Sequence, residues 1–205
     1  MPDILAGSWP TNKMMQGEQL RSLFAPGIAV SPDGQQLAIA HAESAQATFI
    51  AAEPLAVERT TLIEPPANPV GWLVPEVRTA WAKQPPEGTV RWATYSADAQ
   101  HVYVWGRQTQ VDAQGQVSYD NFGVDAMSPN GGGVAAESLR NTWVDQLVPS
   151  PDGRSAYVLG LADPSATSET DTSPYLLRRL DASSLATLSQ RELSGYHSLF
   201  VRVHQ

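Results

Sequence analysis

The sequence predicts an all-β chain built as successive four-stranded antiparallel sheets. Two observations predict it: a turn-and-strand phrase that recurs three times, and a near absence of helical periodicity. The three copies align without gaps. They are Ser31-Pro32-Asp33-Gly34-Gln35-Gln36-Leu37-Ala38-Ile39-Ala40, Ser96-Ala97-Asp98-Ala99-Gln100-His101-Val102-Tyr103-Val104-Trp105, and Ser150-Pro151-Asp152-Gly153-Arg154-Ser155-Ala156-Tyr157-Val158-Leu159.

In each copy the turn comes first. Pro32 and Pro151 preset φ for a tight turn, Asp33 and Asp152 can bond the backbone that follows, and Gly34 and Gly153 accept positive φ. The stretches before the turns, Ile28 to Val30, Val90 to Tyr95 and Val144 to Val148, are short and β-prone, so each reads as the first strand of a hairpin. Third strands are expected at Phe49 to Ala52, Phe122 to Ala126 and Leu177 to Ala182. In the second unit Ser128-Pro129-Asn130-Gly131-Gly132-Gly133 leads to the fourth strand, and in the third unit Ser183-Ser184-Leu185-Ala186 does. The organisation expected is an N-terminal segment over 1–25, sheets over 26–64, 88–140 and 141–195, an inserted loop over 65–87 and the opening of a further unit over 196–205. Within the N-terminal segment, Gln16 to Phe24 reads equally as a short helix or a strand.

Composition narrows the functional classes. The chain has 205 residues, 42% hydrophobic and 17% charged, with a formal charge of −8 and two lysines, Lys13 and Lys83, among thirteen basic residues. No basic cluster is denser than Arg178-Arg179, so a nucleic-acid partner is not expected. With no cysteine, disulfides, thiolate metal sites and thiol nucleophiles are excluded. No uninterrupted apolar run of about 18 residues occurs, so no direct membrane insertion is expected. The compartment stays open.

These residues resemble a known family. The Ser-Pro-Asp-Gly turn followed by a strand such as Ala156-Tyr157-Val158-Leu159, and then a strand ending in Leu180-Asp181-Ala182, is similar to the repeats of YVTN/WD40-like β-propellers, including the TolB-type group. The resemblance covers about residues 26 to 64 and 88 to 203. It implies blades stacked side by side about a common axis, and Ile39, Val102, Val104 and Val158 are expected to be buried between adjacent sheets. Asp33, Asp98 and Asp152 lie further apart than the roughly 40 to 50 residues of one such blade, so insertions are expected. Three blades are fewer than the four or more that close a ring. The expectation is therefore a partial propeller, completed by further chain, by a protein partner or by self-association.

The resemblance also sorts the insertions. Pro65 to Gly88, Arg107 to Ser118 and Leu161 to Pro174 would emerge on one face, opposite the Ser-Pro-Asp-Gly turns. The first carries Trp72, Glu76, Arg78 and Trp81 among several prolines, and with Arg107 these are the candidate binding residues. No Gly-x-Ser-x-Gly elbow, His-Glu-x-x-His helix, phosphate loop or dinucleotide fingerprint occurs. Gly131-Gly132-Gly133 reads as a turn. His41, His101, His197 and His204 are dispersed, so no metal and no cofactor is expected.

The main functional expectation is a binding or scaffolding propeller that is not an enzyme. The first alternative is the propeller portion of a larger hydrolase, as the likeness to prolyl-oligopeptidase-like proteins implies. The second is a sugar- or peptide-binding propeller with Trp72, Trp81 or Trp92 as stacking platforms.

Overall fold

A computed structural model describes residues 24–63, 88–111, 117–131, 133–162 and 174–193. Its strands are β1 (Phe24–Ala25), β2 (Gly27–Val30), β3 (Gln36–Ala40), β4 (Gln46–Ala51), β5 (Ala56–Leu62), β6 (Gly88–Tyr95), β7 (Val102–Val111), β8 (Val117–Met127), β9 (Val134–Ser138), β10 (Val144–Pro149), β11 (Ser155–Leu161), β12 (Tyr175–Asp181) and β13 (Thr187–Leu193). They form three sheets, ordered β2-β3-β4-β5, β1-β6-β7-β8-β9 and β10-β11-β12-β13. Apart from β1, every neighbouring pair is antiparallel and sequential, as a meander requires. The all-β, propeller-type architecture read from the sequence is what the structure shows. The N-terminal segment lies outside the described residues up to 23. At its end Phe24 and Ala25 run parallel to Thr89 and Val90.

The recurring turn closes by one mechanism in each blade. Ser31 Oγ donates to Asp33 Oδ1 at 2.6 Å, the Gln35 N–H donates to the same carboxylate at 3.0 Å, and the Gln36 N–H donates back to Ser31 Oγ at 2.9 Å. Ser96 with Asp98, Gln100 and His101, and Ser150 with Asp152, Arg154 and Ser155, repeat these bonds. Gly34 and Gly153 adopt φ of 72° and 69°, and Ala99 holds the equivalent place at 56°. An alanine there carries a modest backbone cost that the surrounding bonds offset.

Side-chain alternation makes the second blade the middle layer. Val102 and Val104 of β7 face the first blade, where they join Ala38, Ala40, Phe49, Tyr95 and Met127 in one core. Tyr103 and Trp105, one residue out of phase, face the third blade and join Val124, Ala126, Val158, Leu180 and Leu185 in another. Hydrogen bonds cross both seams. Tyr95 OH donates to Gln36 Oε1 at 2.8 Å, and Tyr103 OH donates to the Ala182 carbonyl at 3.0 Å. Burial pushes both phenols up to about 12, with nearby carboxylates adding to the rise.

Ile39 departs from its expected place between sheets. Ala38 and Ala40 take the inward phase of β3, so Ile39 is half-buried and shares the outer face of the first blade with Ile28 and Val30, which are 60% and 56% exposed. Val102, Val104 and Val158, by contrast, are buried in the two seams. One end of the sheets carries the turns: a Cβ on Gly153 would sit 3.0 Å from the Asp98 carboxylate, so successive turns touch. The opposite end carries the end of β7 and the start of β8, the end of β11 and the start of β12, and the segment entering β10.

Candidate functional site

Of the five candidate binding residues, Arg107 alone lies among the described residues. Trp72, Glu76, Arg78 and Trp81 lie outside them. Arg107 does not sit in an inserted loop as expected. It lies on β7, opposite Val90 of β6 and Asn121 of β8. The physical reason is that Gln108-Thr109-Gln110-Val111 extends the strand as polar β ribbon, so the hairpin lengthens instead of opening into a loop.

The same phase that turns Tyr103 and Trp105 toward the third blade turns Arg107 there too. Its Cζ lies 4.0 Å from the centre of the Trp143 ring, and 5.7 and 5.8 Å from Trp92 and Tyr119. A guanidinium over an indole face is attracted by the ring quadrupole. Trp143 is held from several directions. Its Nε1–H donates to Asp145 Oδ1 at 2.7 Å, Tyr119 stands edge-on to it at 5.0 Å, and the Leu161 N–H donates to its carbonyl at 3.0 Å. Gly160 is required there: a Cβ would lie 2.1 Å from the Trp143 carbonyl oxygen. Trp143 and Leu161 are buried with Tyr119 and Tyr175 against them. Arg178 of β12 is tied to this cluster by Nη2 donating to the Leu161 carbonyl at 3.4 Å. Burial lowers the Arg178 pKa. The arrangement offers cations, aromatic faces and the half-buried Asp145 carboxylate at the loop-bearing end of one seam.

Sequence reasoning missed Tyr119 and Trp143 as neighbours of Arg107, and Asp145 and Arg178 as members of the same cluster. Trp143 and Asp145 flank Val144 at the start of β10, whereas Tyr119 comes from β8 and Arg178 from β12, so the set follows no short motif. The available signal was phase: Tyr103, Trp105 and Arg107 alternate along one strand. Trp92 is packed flat against Trp105 at 6.2 Å and is half-buried, so its ring is partly spent on the sheet.

A second concavity lies at the turn end of the other seam. An open cleft of about 790 Å³ is bordered by Asp33, Gln36, Glu53, Glu58, Tyr95 and Asn130, among others. Gln36 Nε2 bridges to Glu58 there. The histidines are not gathered: His41 Nε2 meets Thr48 Oγ1 at 2.8 Å, whereas His101 stacks on Tyr103. Among the described residues no three His, Cys, Asp or Glu side chains group as a metal site would require, and no helix is long and apolar enough to cross a membrane.

No protein-family model matches the sequence, and no curated protein matches it. Solved structures do show similarity. One is a candidate 6-phosphogluconolactonase from Bacteroides fragilis NCTC 9343, at 12% identity and a TM-score of 0.38, with 82% of this chain and 39% of that chain covered. A second is the periplasmic gluconolactonase of Pseudomonas aeruginosa, at 18% identity and a TM-score of 0.40, covering 82% and 40%. A third is the hydrazine synthase of Kuenenia stuttgartiensis, at 14% and 0.34, covering 87% and 52%. The chain thus spans about two fifths of the length of the first two.

The expectation that the chain is not an enzyme is corrected at this point. Two of these three proteins are named for a lactonase activity. The earlier exclusion rested on motifs that announce themselves in a few consecutive residues, and a site assembled from separate strands leaves no such motif. The likeness is one of sheet arrangement, and no residue role is carried across.

Proposed function

We propose that the chain supplies blades of a hydrolytic propeller, its repeats belonging with the YVTN/WD40-like, TolB-type group. Its ligand is met at the loop-bearing end of the seam between the second and third blades. One observation carries the reading: Arg107 is held 4.0 Å over Trp143, and that same indole fixes the Asp145 carboxylate. Aromatic faces suit the C–H faces of a polyhydroxyl ring. A positioned guanidinium suits an oxygen that becomes negative in the transition state, and a carboxylate suits a proton to be taken from water.

A cyclic ester is the substrate class that uses all three. Water adds to the ester carbonyl carbon as its proton passes to Asp145, and Arg107 donates to the oxygen that gains charge. The acyl–oxygen bond then breaks, and the ring oxygen leaves with the proton as the hydroxyl of an open hydroxy acid. The names of two structurally similar propellers make sugar lactones the first substrates to assay.

The test is hydrolysis of glucono-δ-lactone followed in a pH-stat. Turnover above the spontaneous rate is expected, with Arg107→Ala and Asp145→Asn each lowering kcat/KM about 100-fold. No turnover above background, or variants as active as the parent, would overturn the reading. Saturable binding of the lactone without turnover would instead favour a sugar-binding propeller.

A further inference from the structure

We propose that Arg178 is an anion-recognition residue that takes a carboxylate or phosphate group of a small ligand at the seam between the second and third blades, a proposal resting on the ligand site placed there above. Arg178 lies on β12 in register with Val158 and in phase with Leu180, both of which face the second blade. It is 7% exposed. Its Nη2 makes one long hydrogen bond, 3.4 Å to the Leu161 carbonyl, and its buried Nη1 makes none. No carboxylate among the described residues pairs with it.

The same fold treats a buried structural charge differently. Asp125, 1% exposed, is met by Arg140 Nη2 at 2.7 Å, and Arg140 is further tied to Glu137 at 2.7 Å and to the Phe122 carbonyl at 2.6 Å. A charge taken out of water is costly until an opposite charge reaches it. Arg178 is in that state, and the planar fork of a guanidinium matches a carboxylate or phosphate with two parallel hydrogen bonds. Its position is not arbitrary either. Through the Leu161 carbonyl it is tied to the cluster of Trp143 and Tyr119 over which Arg107 lies, so one aromatic cluster links two guanidinium groups. The hydroxy acid released by lactone opening carries the kind of group that Arg178 would bind, as does any phosphorylated substrate.

The experiment is thermal melting of the full chain in chloride buffer, with inorganic phosphate or acetate titrated in at constant ionic strength. For the parent, either anion is expected to raise the melting temperature along a saturating curve, as mass action requires. A response to phosphate alone would assign the phosphate, and a response to acetate alone the carboxylate. Arg178→Met is expected to lose the response and to melt in chloride at or above the parent temperature, because an unanswered charge has been removed. Arg178→Lys is expected to keep a weakened response. A parent that ignores both anions, or Arg178→Met responding like the parent, would overturn the proposal. So would an Arg178→Met that melts well below the parent in chloride, since that would mark a structural arginine. If Asp163→Asn, Glu169→Gln and Asp171→Asn in the Leu161 to Pro174 insertion together destabilise the chain in chloride, a carboxylate of that insertion answers the charge and the proposal also falls. Lost lactone turnover with the anion response intact would refute only hydrolysis. Turnover without any anion response would refute only the role of Arg178.

Discussion

Gly160→Ala tests the packing beneath the site. Gly160 pairs with Val144 across the first hairpin of the third blade, and a Cβ on it would lie 2.1 Å from the Trp143 carbonyl oxygen and 3.2 Å from its carbonyl carbon. Ordinary contact begins at 3.4 Å, so the strands would have to part by roughly 1 Å in an interior packed at crystal density. Overpacking of this kind costs about 1 to 3 kcal/mol. The Leu161 N–H bond to the displaced carbonyl, 3.0 Å long, would weaken as well, adding about 1 kcal/mol. The expected loss is therefore about 2 to 4 kcal/mol, read as a lower urea midpoint at unchanged slope. The control is Gly34→Ala, where no atom lies within 4 Å and the cost is the φ of 72° alone, about 1 kcal/mol. A Gly160→Ala loss no larger than that of Gly34→Ala would refute the close approach.

Further expectations follow from the seams and turns. Val158→Asp should cost about 4 kcal/mol or more, since it places an unpaired charge between the second and third blades; a chain that melts like the parent would contradict the buried position. Tyr103→Phe should cost about 1 kcal/mol through loss of the bond to the Ala182 carbonyl, measured by denaturant unfolding. Tyr95 and Tyr103 should titrate near 12 by ultraviolet absorbance. Because the unfolded phenols ionise near the ordinary 10.0, stability should be complete below that pH and fall as pH rises from there toward 12. The turn aspartates behave oppositely. Hydrogen bonds from Ser31 and Gln35 hold Asp33 below the usual carboxylate range, and bonds from Ser150 and Arg154 do so for Asp152. At Asp98 partial burial pushes upward, and the bonds from Ser96 and Gln100 outweigh it. Their contribution is thus present above the ordinary carboxylate range and is lost as pH falls through the lowered values, so Asp152→Asn should flatten the acid limb of a stability-against-pH curve.

What could be read from the residues, and what could not, divides along local and non-local lines. The turns were legible because Ser, Asp and Gly act on backbone only a few residues away, and the bonds around Asp33 and Asp152 are of that kind. The strands were legible from alternation, which also brought Val102, Val104 and Val158 inward. Ile39 was misplaced because alternation gives two faces without saying which is covered, and the small Ala38 and Ala40 side chains take the covered one. Arg107 was singled out for the wrong setting, a loop instead of a strand. Tyr119 and Trp143 meet it, and Asp145 and Arg178 join the same cluster through Trp143 and Leu161, only because separate hairpins pack against each other. The parallel pairing of Phe24 and Ala25 with β6 left no mark in the local pattern either.

Underneath these readings is one claim: the second blade is sandwiched, with a different neighbour on each face. Methyl-to-aromatic nuclear Overhauser effects test it directly. The account predicts contacts from the Val102 and Val104 methyls to the Phe49 ring, and from the Val158 and Leu180 methyls to the Tyr103 ring. Contacts from Val104 to Leu180, or from Tyr103 to Phe49, would contradict it.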